Sequence, residues 1–327
     1  MNLISNKNIL ITGGMGFIGS NLARRLLEFN NQVTIVDSLI PEYGGNLRNL
    51  SDLKDRVAIN LSDIRDKYSI REIIKGQDYL FNLAGQTSHL DSMENPFIDL
   101  DINAKAQLSI LEACRKNNPG VRIVFASTRQ IYGKPSYLPV DEKHPLHPVD
   151  INGINKIAGE RYHILYNEVY GIASSVLRLT NTYGPRMRIK DARQTFLGIW
   201  IRHLLQGIPI QVFGDGKQRR DYNFVDDVID ALILAAVSDD AIGKAYNLGS
   251  PTPMSLEETA SIMCAQVKGS SYLLVPFPED RKAIDVGDFV CDYSSFSKAF
   301  EWEPKTSFKK GIKSCLNFFK NEIEYYI

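Results

Sequence analysis

The 327-residue sequence predicts an α/β fold in which a parallel sheet is covered by helices on both faces. Short β-branched runs alternate with amphipathic helical stretches through the first half, and such alternation is typical of successive strand–helix–strand units. Runs such as RIVFAS (122–127) are apolar on both faces, as expected of strands buried between two helical layers. The predicted strands span 8–12, 32–37, 57–60, 78–85, 121–127 and 173–181, and a helix is predicted over 158–170.

The pattern changes beyond residue 182, where Gly, Pro and Arg become denser and the predicted elements become shorter. We expect residues 1–181 to form the sheet domain, with some later segments returning to it. Residues 182–327 are expected to form a smaller mixed α/β domain. No low-complexity tract separates the two parts, so the second domain is expected to interleave with the first.

Composition gives no reason to expect a nucleic-acid or membrane partner, because Lys plus Arg and Asp plus Glu both number 38. No stretch approaches the roughly 18 apolar residues of a membrane span, and the run at 9–11 predicts a strand rather than a signal peptide. The cysteines show no CxxC spacing, so we expect no metal site and reduced thiols in a cytoplasmic protein. They are Cys114, Cys264, Cys291 and Cys315.

A glycine-rich stretch, ITGGMGFIGS, follows the first predicted strand and opens a helix. Gly13, Gly16 and Gly19 allow a tight turn and a close backbone approach, so that the helix N-terminus can face a pyrophosphate. The next strand ends in Asp37, the position at which a carboxylate is expected to bind the adenosine ribose hydroxyls. That carboxylate would repel a 2′-phosphate, and Ser38-Leu39 supplies no arginine to bind one. The pattern therefore favours NAD over NADP.

Further cofactor contacts are expected where later strands end. Asp63 follows the third strand and is placed to meet the adenine edge or, equally, to cap the next helix. FNLAGQ (81–86) ends the fourth strand in small residues against which a cofactor can lie. Besides the three glycines and Asp37, the predicted cofactor residues are Phe17, Ile18, Asp63, Ile64, Leu83, Ala84 and Lys156.

The motifs TGGMGFIG, DIRD, NLAGQ, ASTRQIYG, LRLTNTYGPR and RRDYNFVDD follow one another in this order. With Asp37, they make the chain resemble the extended short-chain dehydrogenase/reductase family, and within it the NAD-dependent nucleotide-sugar epimerases and dehydratases. The resemblance runs through EWEPKTSFKKGI and so covers essentially the whole chain. It implies a Rossmann-type doubly wound sheet that holds NAD, a C-terminal domain that holds a nucleotide-sugar substrate, and commonly a homodimer.

The family's reaction centre is a Ser or Thr with a Tyr and a Lys spaced YxxxK. Thr128 matches the first position and Lys156 the last, but Asn152 stands where the tyrosine is expected, and none of the 15 tyrosines has a lysine four residues on. An amide orients a hydroxyl but cannot accept its proton. Without a replacement, the loss of general-base help would be on the order of 10²–10⁴-fold.

Several groups are open as replacements for the tyrosine. Lys156 itself can act as a base if burial lowers its pKa. His147 or Asp150, just before the helix that carries Asn152, can turn toward the sugar, and Tyr132 or Tyr183 can enter from elsewhere. His144 and His147 adjoin prolines, a pattern more typical of a solvated loop.

The substrate residues implied by the resemblance are Gln86, Arg129, Asn181, Arg220 and Arg281, the last two as arginines that grip the diphosphate. Dehydratases carry an Asp-Glu pair directly after the Ser/Thr, where this chain has Arg129 and Gln130. That difference disfavours 4,6-elimination. Arg129 instead suits a carboxylate or hydroxyl of the substrate, or else a surface ion pair.

Two classes of function are consistent with these residues. The first is an NAD-dependent enzyme that oxidises a nucleotide-sugar hydroxyl, most often at C4, as an epimerase or a dehydrogenase with an atypical NxxxK site. The second is a catalytically weak protein that binds NAD and a nucleotide sugar. A dehydratase is a third and weaker hypothesis, because of Arg129 and Gln130.

Overall fold

The computed structural model describes residues 4–193 and 195–327, apart from the side chains of Asp280 and Arg281. Its central feature is a seven-stranded sheet with the order β11-β6-β5-β4-β1-β2-β3, in which every neighbouring pair is parallel. In chain order the strands are β1 (Asn8–Thr12), β2 (Gln32–Val36), β3 (Val57–Asn60), β4 (Tyr79–Asn82), β5 (Arg122–Thr128), β6 (Ser174–Leu179), β7 (Asn181–Tyr183), β8 (Ile210–Phe213), β9 (Arg219–Arg220), β10 (Tyr222–Phe224), β11 (Ala245–Leu248), β12 (Met254–Ser255) and β13 (Tyr272–Val275).

Helices connect these strands and cover both faces of the sheet. In chain order they are α1 (Phe17–Leu27), α2 (Lys67–Ile73), α3 (His89–Glu94), α4 (Pro96–Leu100), α5 (Ala106–Asn117), α6 (Ile151–Tyr170), α7 (Phe196–Gln206), α8 (Val225–Val237), α9 (Leu256–Cys264), α10 (Glu279–Lys282), α11 (Ser294–Phe300) and α12 (Phe308–Glu322). A π-helical turn over Asp101–Lys105 leads into α5, and short 3₁₀ turns span Leu47–Leu50, Arg129–Tyr132, Asp239–Ala241 and Ile323–Tyr325.

The strand β1 shows why the sheet is buried on both sides. Ile9 and Ile11 belong to the apolar cluster that includes α1 and α8, whereas Leu10 belongs to the cluster formed with α2, α5 and α6. Successive side chains of a strand point to opposite faces, so a continuous apolar run supplies both clusters. The predicted doubly wound parallel sheet is therefore confirmed.

Besides the main sheet, the described residues form three two-stranded sheets. β10 pairs with β7 and β13 with β8 in parallel, whereas β12 pairs with β9 in antiparallel fashion. β11 lies at the edge of the main sheet beside β6, so a late segment of the chain does complete the first layer. Within the described residues, no helix is long and apolar enough to cross a membrane.

The last helical turn of the chain packs against the segment that supports the glycine loop. Arg48 Nε donates to Glu322 Oε2 at 2.6 Å, and Tyr326 Oη donates to Asn49 Oδ1 at 2.6 Å. Asn49 Nδ2 in turn donates to the backbone oxygen of Met15, inside the glycine loop, at 2.8 Å. This chain of contacts, which we term the tail clamp, joins the two ends of the described chain.

Candidate active site

A cavity opens at the carboxyl ends of the parallel strands, the edge at which ligands bind in open α/β sheets. It runs from the glycine loop after β1, across the ends of β4 and β5, to the residues that follow β6. Most of the predicted site residues line it: Gly13, Gly16, Phe17, Ile18, Gly19, Asp37, Asp63, Ile64, Leu83, Ala84, Gln86, Thr128, Arg129, Asn152, Lys156 and Asn181.

Backbone packing explains two glycines of the loop, Gly13 and Gly19. Gly13 has a φ of +70°, a conformation that favours glycine, and a side chain there would lie 2.9 Å from the Ala84 backbone. A Cβ on Gly19 would lie 2.4 Å from the backbone oxygen of Gly13. α1 begins after Gly16 with no side-chain cap and no acidic residue in its first turn. Its first amides therefore remain available to an anion.

Asp37 follows β2 and shapes the far side of the loop. Its Oδ2 accepts the backbone N–H of Met15 at 3.0 Å, and its Oδ1 accepts that of Leu39 at 2.9 Å. Burial raises the pKa of the Asp37 carboxyl, and these two backbone hydrogen bonds oppose the rise. The carboxylate is thus fixed at the cavity edge, where its charge opposes a second anion.

Asp63 lines the cavity but does not cap the following helix. Arg65 Nε and Nη2 donate to its two oxygens at 2.9 and 2.6 Å, and hydrogen bonding to Arg65 lowers the pKa of Asp63. The cap of α2 is Asp66, whose side chain accepts the N–H of Tyr68 at 3.0 Å. The alternative reading of Asp63 as a helix cap is therefore wrong. Its predicted adenine contact stays a prediction.

Thr128 ends β5, and both it and its neighbour Ser127 line the cavity, but their hydroxyls have different partners. Thr128 Oγ1 accepts the N–H of Gln130 at 3.3 Å, which starts the 3₁₀ turn. Ser127 Oγ donates to Glu160 Oε2 at 3.1 Å, and Glu160 forms a buried ion pair with Arg178. Of the two hydroxyls, only Thr128 remains to meet a substrate.

Asn152 turns its amide nitrogen away from a substrate. Asn152 Nδ2 donates to the backbone oxygen of Gln86 at 2.8 Å and to Asp99 Oδ2 at 3.0 Å, which occupies both of its hydrogens. Asn155 Nδ2 donates to Asp99 Oδ1 at 2.8 Å. Asn152 and Asn155 thus compensate the buried Asp99 carboxylate, and only Asn152 Oδ1 remains to accept a hydrogen bond.

Lys156 lies one turn further along α6. Its Nζ donates to the backbone oxygen of Ala126 at 3.1 Å, and the side chain is almost fully buried. Burial lowers the pKa of Lys156 to about 8, although the Asp99 carboxylate acts to raise it. The ammonium therefore remains the major form at neutral pH, and the amine form becomes accessible as the pH approaches 8.

The tyrosines and the loop histidine proposed as bases do not line the cavity. Tyr132 is fully buried, donates to Asn247 Oδ1 at 2.7 Å and has a pKa raised by burial. Tyr183 is fully buried, and burial raises its pKa too. His147 is exposed and pairs with Gly133 in a β-bridge away from the cavity. These three substitutes for the missing tyrosine are not supported by their positions.

His144 and Asp150 also differ from expectation. His144 is buried rather than solvated, and its Nε2 accepts the N–H of Ser136 at 2.9 Å. Asp150 caps α6 by accepting the N–H of Gly153 at 2.7 Å through Oδ1. It is held in place and does not turn toward a sugar.

The structure brings a histidine to the site that sequence reasoning missed. His89 begins α3, lines the cavity and keeps its Nδ1 3.0 Å from Asp150 Oδ2. Gln130 Nε2 donates to the same Asp150 oxygen at 3.1 Å. The sequence held no signal for this contact beyond a polar residue shortly after NLAGQ, because the partner lies far along the chain.

Arg129 faces the cavity with an incompletely satisfied guanidinium. Its Nη1 is buried without a hydrogen-bond partner, and the group lies 5.1 Å from the Phe289 ring centroid. Burial and then the nearby Arg220 lower the pKa of Arg129 to about 10. Burial also raises the pKa of Asp221 to about 7, against the pull of Arg129. The expected surface ion pair of Arg129 is therefore not found among the described residues.

The predicted diphosphate residues are only partly gathered at the cavity. Asn181 lines it and donates to the backbone oxygen of Asp221 at 2.9 Å. Arg220 does not line it, because its buried guanidinium faces Asp285 Oδ1 at 3.6 Å and the backbone oxygen of Gly287. The Arg281 side chain lies outside the described residues.

Comparison with known proteins places this architecture among nucleotide-sugar enzymes. Residues 9–249 match the NAD dependent epimerase/dehydratase family. A candidate UDP-glucose 4-epimerase of Methanocaldococcus jannaschii is 36% identical over 317 residues, which cover 96% of this chain and 98% of that protein. A UDP-N-acetyl-alpha-D-glucosaminuronate decarboxylase of Bacillus cytotoxicus is 31% identical over 329 residues, with 97% and 99% covered.

A solved structure has the same fold. The UDP-glucuronic acid 4-epimerase of Bacillus cereus, in complex with UDP-glucuronic acid and NAD, superposes with a TM-score of 0.86. The two chains are 26% identical, and the match covers 96% of this chain and 99% of the other.

Proposed function

The chain belongs to the NAD-dependent epimerase/dehydratase family, and on that premise we propose that it is an NAD-dependent enzyme that oxidises a nucleotide-diphosphate sugar, at C4, and acts as an epimerase. The observation that carries the proposal is a single cavity that joins the glycine loop and Asp37 to Thr128 and Lys156. A dinucleotide held along the loop would end beside the reacting sugar.

The residues around the loop fit NAD. Gly13 and Gly19 leave no room for side chains where a pyrophosphate approaches, and the first turn of α1 is uncapped. Asp37 is placed for the ribose hydroxyls, and Lys156 for the nicotinamide ribose. Bound there, NAD⁺ supplies the hydride acceptor that sugar oxidation requires.

The chain's own residues would prepare the sugar for that oxidation. Thr128 Oγ1 faces the cavity and holds the reacting hydroxyl. Asn152 Oδ1 is the remaining polar atom of its side chain and orients the same group as an acceptor. Lys156, with its pKa lowered to about 8 by burial, adjusts the local charge and can hold or release a proton.

Arg129 favours a substrate whose sugar carries an anionic group. A buried guanidinium nitrogen without a partner is costly, and a carboxylate would satisfy it through a charge-assisted hydrogen bond. Because Arg129 directly follows Thr128, we expect it to lie beside the sugar rather than beside the cofactor. We therefore favour a uronic acid over a neutral hexose as the sugar. Positions 129 and 130 hold Arg and Gln, so the acid–base pair of a 4,6-dehydratase is absent from these two positions.

The nucleotide end of the substrate is expected beyond the sugar, near Asn181. Asn181 would contact the diphosphate from the cavity wall. Arg220 would reach it only by leaving Asp285, and the contribution of Arg281 stays a prediction. We also propose the homodimer that the family resemblance implies, which sedimentation velocity would test.

The direct test is purified protein loaded with NAD⁺ and mixed with a panel of UDP-, GDP-, CDP- and dTDP-sugars, including UDP-glucose and UDP-glucuronic acid. Early quenching and mass spectrometry would quantify NADH and the epimeric sugar. Turnover of one sugar to its C4 epimer is expected, and release of a ketone would instead indicate a dehydrogenase. Tight binding of a sugar without any NADH or product would favour a catalytically weak binding protein.

A further inference from the structure

The missing tyrosine leaves the site without its usual acid–base group, and the described cavity wall offers few replacements. Lys156 Nζ donates to the backbone oxygen of Ala126 and is expected beside the nicotinamide ribose rather than the reacting hydroxyl, and Asn152 cannot accept a proton. Tyr132, Tyr183 and His147 lie off the cavity. Two further side chains with acid–base chemistry line the cavity, Tyr43 and His89. Burial and nearby carboxylates raise the pKa of Tyr43 and disfavour its phenolate, so His89 is the stronger candidate.

Asp150 holds the His89 ring in one orientation. Asp150 uses Oδ1 to cap α6 and Oδ2 to face His89 Nδ1 at 3.0 Å, and its side chain is fully buried. Gln130 Nε2 donates to the same Oδ2 at 3.1 Å, which fixes the carboxylate from the other side. Gln130 follows Thr128 and Arg129 in the chain. These contacts therefore connect His89 to the end of β5, which carries Thr128.

The proton between His89 and Asp150 belongs to the imidazole. Two bare acceptors would repel each other at 3.0 Å, so a hydrogen must lie between them. Burial acts to raise the pKa of Asp150, but the hydrogen bonds from His89 and from the Gly153 N–H outweigh it and the pKa is lowered. The hydrogen therefore resides on Nδ1, and Nε2 is the bare acceptor. Gln130 Nε2 also lies 3.2 Å from His89 Nδ1, but Asp150 Oδ2 is a common acceptor for both groups, at 3.1 Å from Gln130 Nε2 and 3.0 Å from Nδ1. His89 Nε2 makes no hydrogen bond with any described residue.

We propose that His89, oriented by Asp150, is the catalytic acid–base residue that replaces the tyrosine, an inference that rests on the proposed function. In the oxidation step the O–H bond of the sugar hydroxyl breaks, its proton passes to His89 Nε2, and the C–H bond gives its hydride to NAD⁺ as the carbonyl forms. In the return step the hydride would go back to the carbonyl carbon as the proton on Nε2 goes back to the oxygen, so that the cofactor and the imidazole would both be restored. The side chain is about one third exposed, as expected of a group that meets a substrate.

The experiment compares His89→Gln and His89→Asn with His147→Gln, a matched histidine outside the cavity. With UDP-glucuronic acid and UDP-glucose as probes, both His89 variants should lose 10²–10⁴-fold in kcat. Their NAD affinity should stay within threefold of wild type, and His147→Gln should stay within twofold in both quantities. Retention of wild-type kcat within threefold by folded His89→Gln and His89→Asn would overturn the proposal.

A second readout does not depend on turnover. Histidine labelled with ¹⁵N reports the protonated ring nitrogen by NMR, and His89→Gln assigns the signal. Wild-type His89 should be protonated at Nδ1, and Asp150→Asn should move the proton to Nε2. Asp150→Ser should keep the cap of α6, but the proton should then have no preferred ring nitrogen. Protonation of wild-type His89 at Nε2 would overturn the proposal. Absence of hydride transfer in wild type would contradict the proposed function, and the NMR result would then decide the histidine's role alone.

Discussion

Asn152 Nδ2 lies 3.0 Å from Asp99 Oδ2, so the residue at the usual tyrosine position compensates a buried carboxylate. Asp99 is fully buried, and Asn155 holds its other oxygen. The amide at position 152 therefore has a structural role in this chain, whatever its part in catalysis.

Replacing Asn152 with Asp should destabilise the fold more than replacing it with Ala. Asn152→Ala removes one donor from Asp99 and one from the Gln86 oxygen, a loss of about 1–3 kcal/mol. Asn152→Asp adds a second carboxylate beside Asp99, and their repulsion raises the pKa of one of the two. Its stability should therefore be greatest at low pH and fall as pH rises through that pKa. Urea unfolding at pH 5 and pH 8 measures this, and equal losses for both variants would contradict it.

Lys156 should make the wild-type free energy of unfolding increase with pH in the alkaline range. Its pKa is lowered by burial from 10.5 to about 8, so between these values the folded state binds fewer protons than the unfolded state. Relative to Lys156→Met, wild type should gain up to about 3 kcal/mol between pH 8 and 10.5 and nothing below pH 8. The control is Lys298→Met, at an exposed position. Its free energy of unfolding should change with pH in parallel with that of wild type. Parallel curves for Lys156→Met would show that burial does not shift this amine.

Arg129 should set the preference for the sugar. Arg129→Met keeps the packing on Phe289 but removes the charge, so the kcat/KM for UDP-glucuronic acid should fall by about 10²-fold, equivalent to about 3 kcal/mol for a charged hydrogen bond. The value for UDP-glucose should change less than threefold. Steady-state kinetics with both sugars measure the ratio, and an equal loss for the two would contradict a role in reading the carboxylate.

Asp37 should set the preference for the cofactor. Asp37→Asn weakens two backbone hydrogen bonds and the charged contact with the ribose, so NAD affinity should fall by about 10–100-fold. NADP affinity should stay the same or rise, because the repulsion of the 2′-phosphate is reduced. Titration calorimetry with both cofactors tests this, and Asp66→Asn, an exposed helix cap, is the matched control.

The sheet and the cofactor loop could be predicted because their determinants are local. The apolar runs of β1 and β5 and the glycine spacing from Gly13 to Gly19 are each contained in a few consecutive residues. The strand β11 was not foreseen as a separate element, since AYNL carries little pattern of its own and is placed by pairing with β6.

The side-chain partnerships of the site could not be predicted, because they join distant segments. The sequence leaves Asp150 open as one of several candidate bases, but in the structure His89 and the α6 cap use both of its oxygens. Arg220 was expected at the phosphates, but Asp285 approaches it from a later loop. Such pairings depend on tertiary geometry, to which sequence spacing gives no access.

The tail clamp has a consequence for synthesis. Its contacts to Glu322 and Tyr326 span 274 and 277 residues, whereas Asn49 reaches Met15 across only 34. On the ribosome, a nascent chain can form the strand, turn and helix of the glycine loop early, because these are neighbours in sequence. Asn49 and Arg48 gain their outer supports only after residue 326 has been translated and has left the exit tunnel. During most of translation the nucleotide loop is therefore present without its brace.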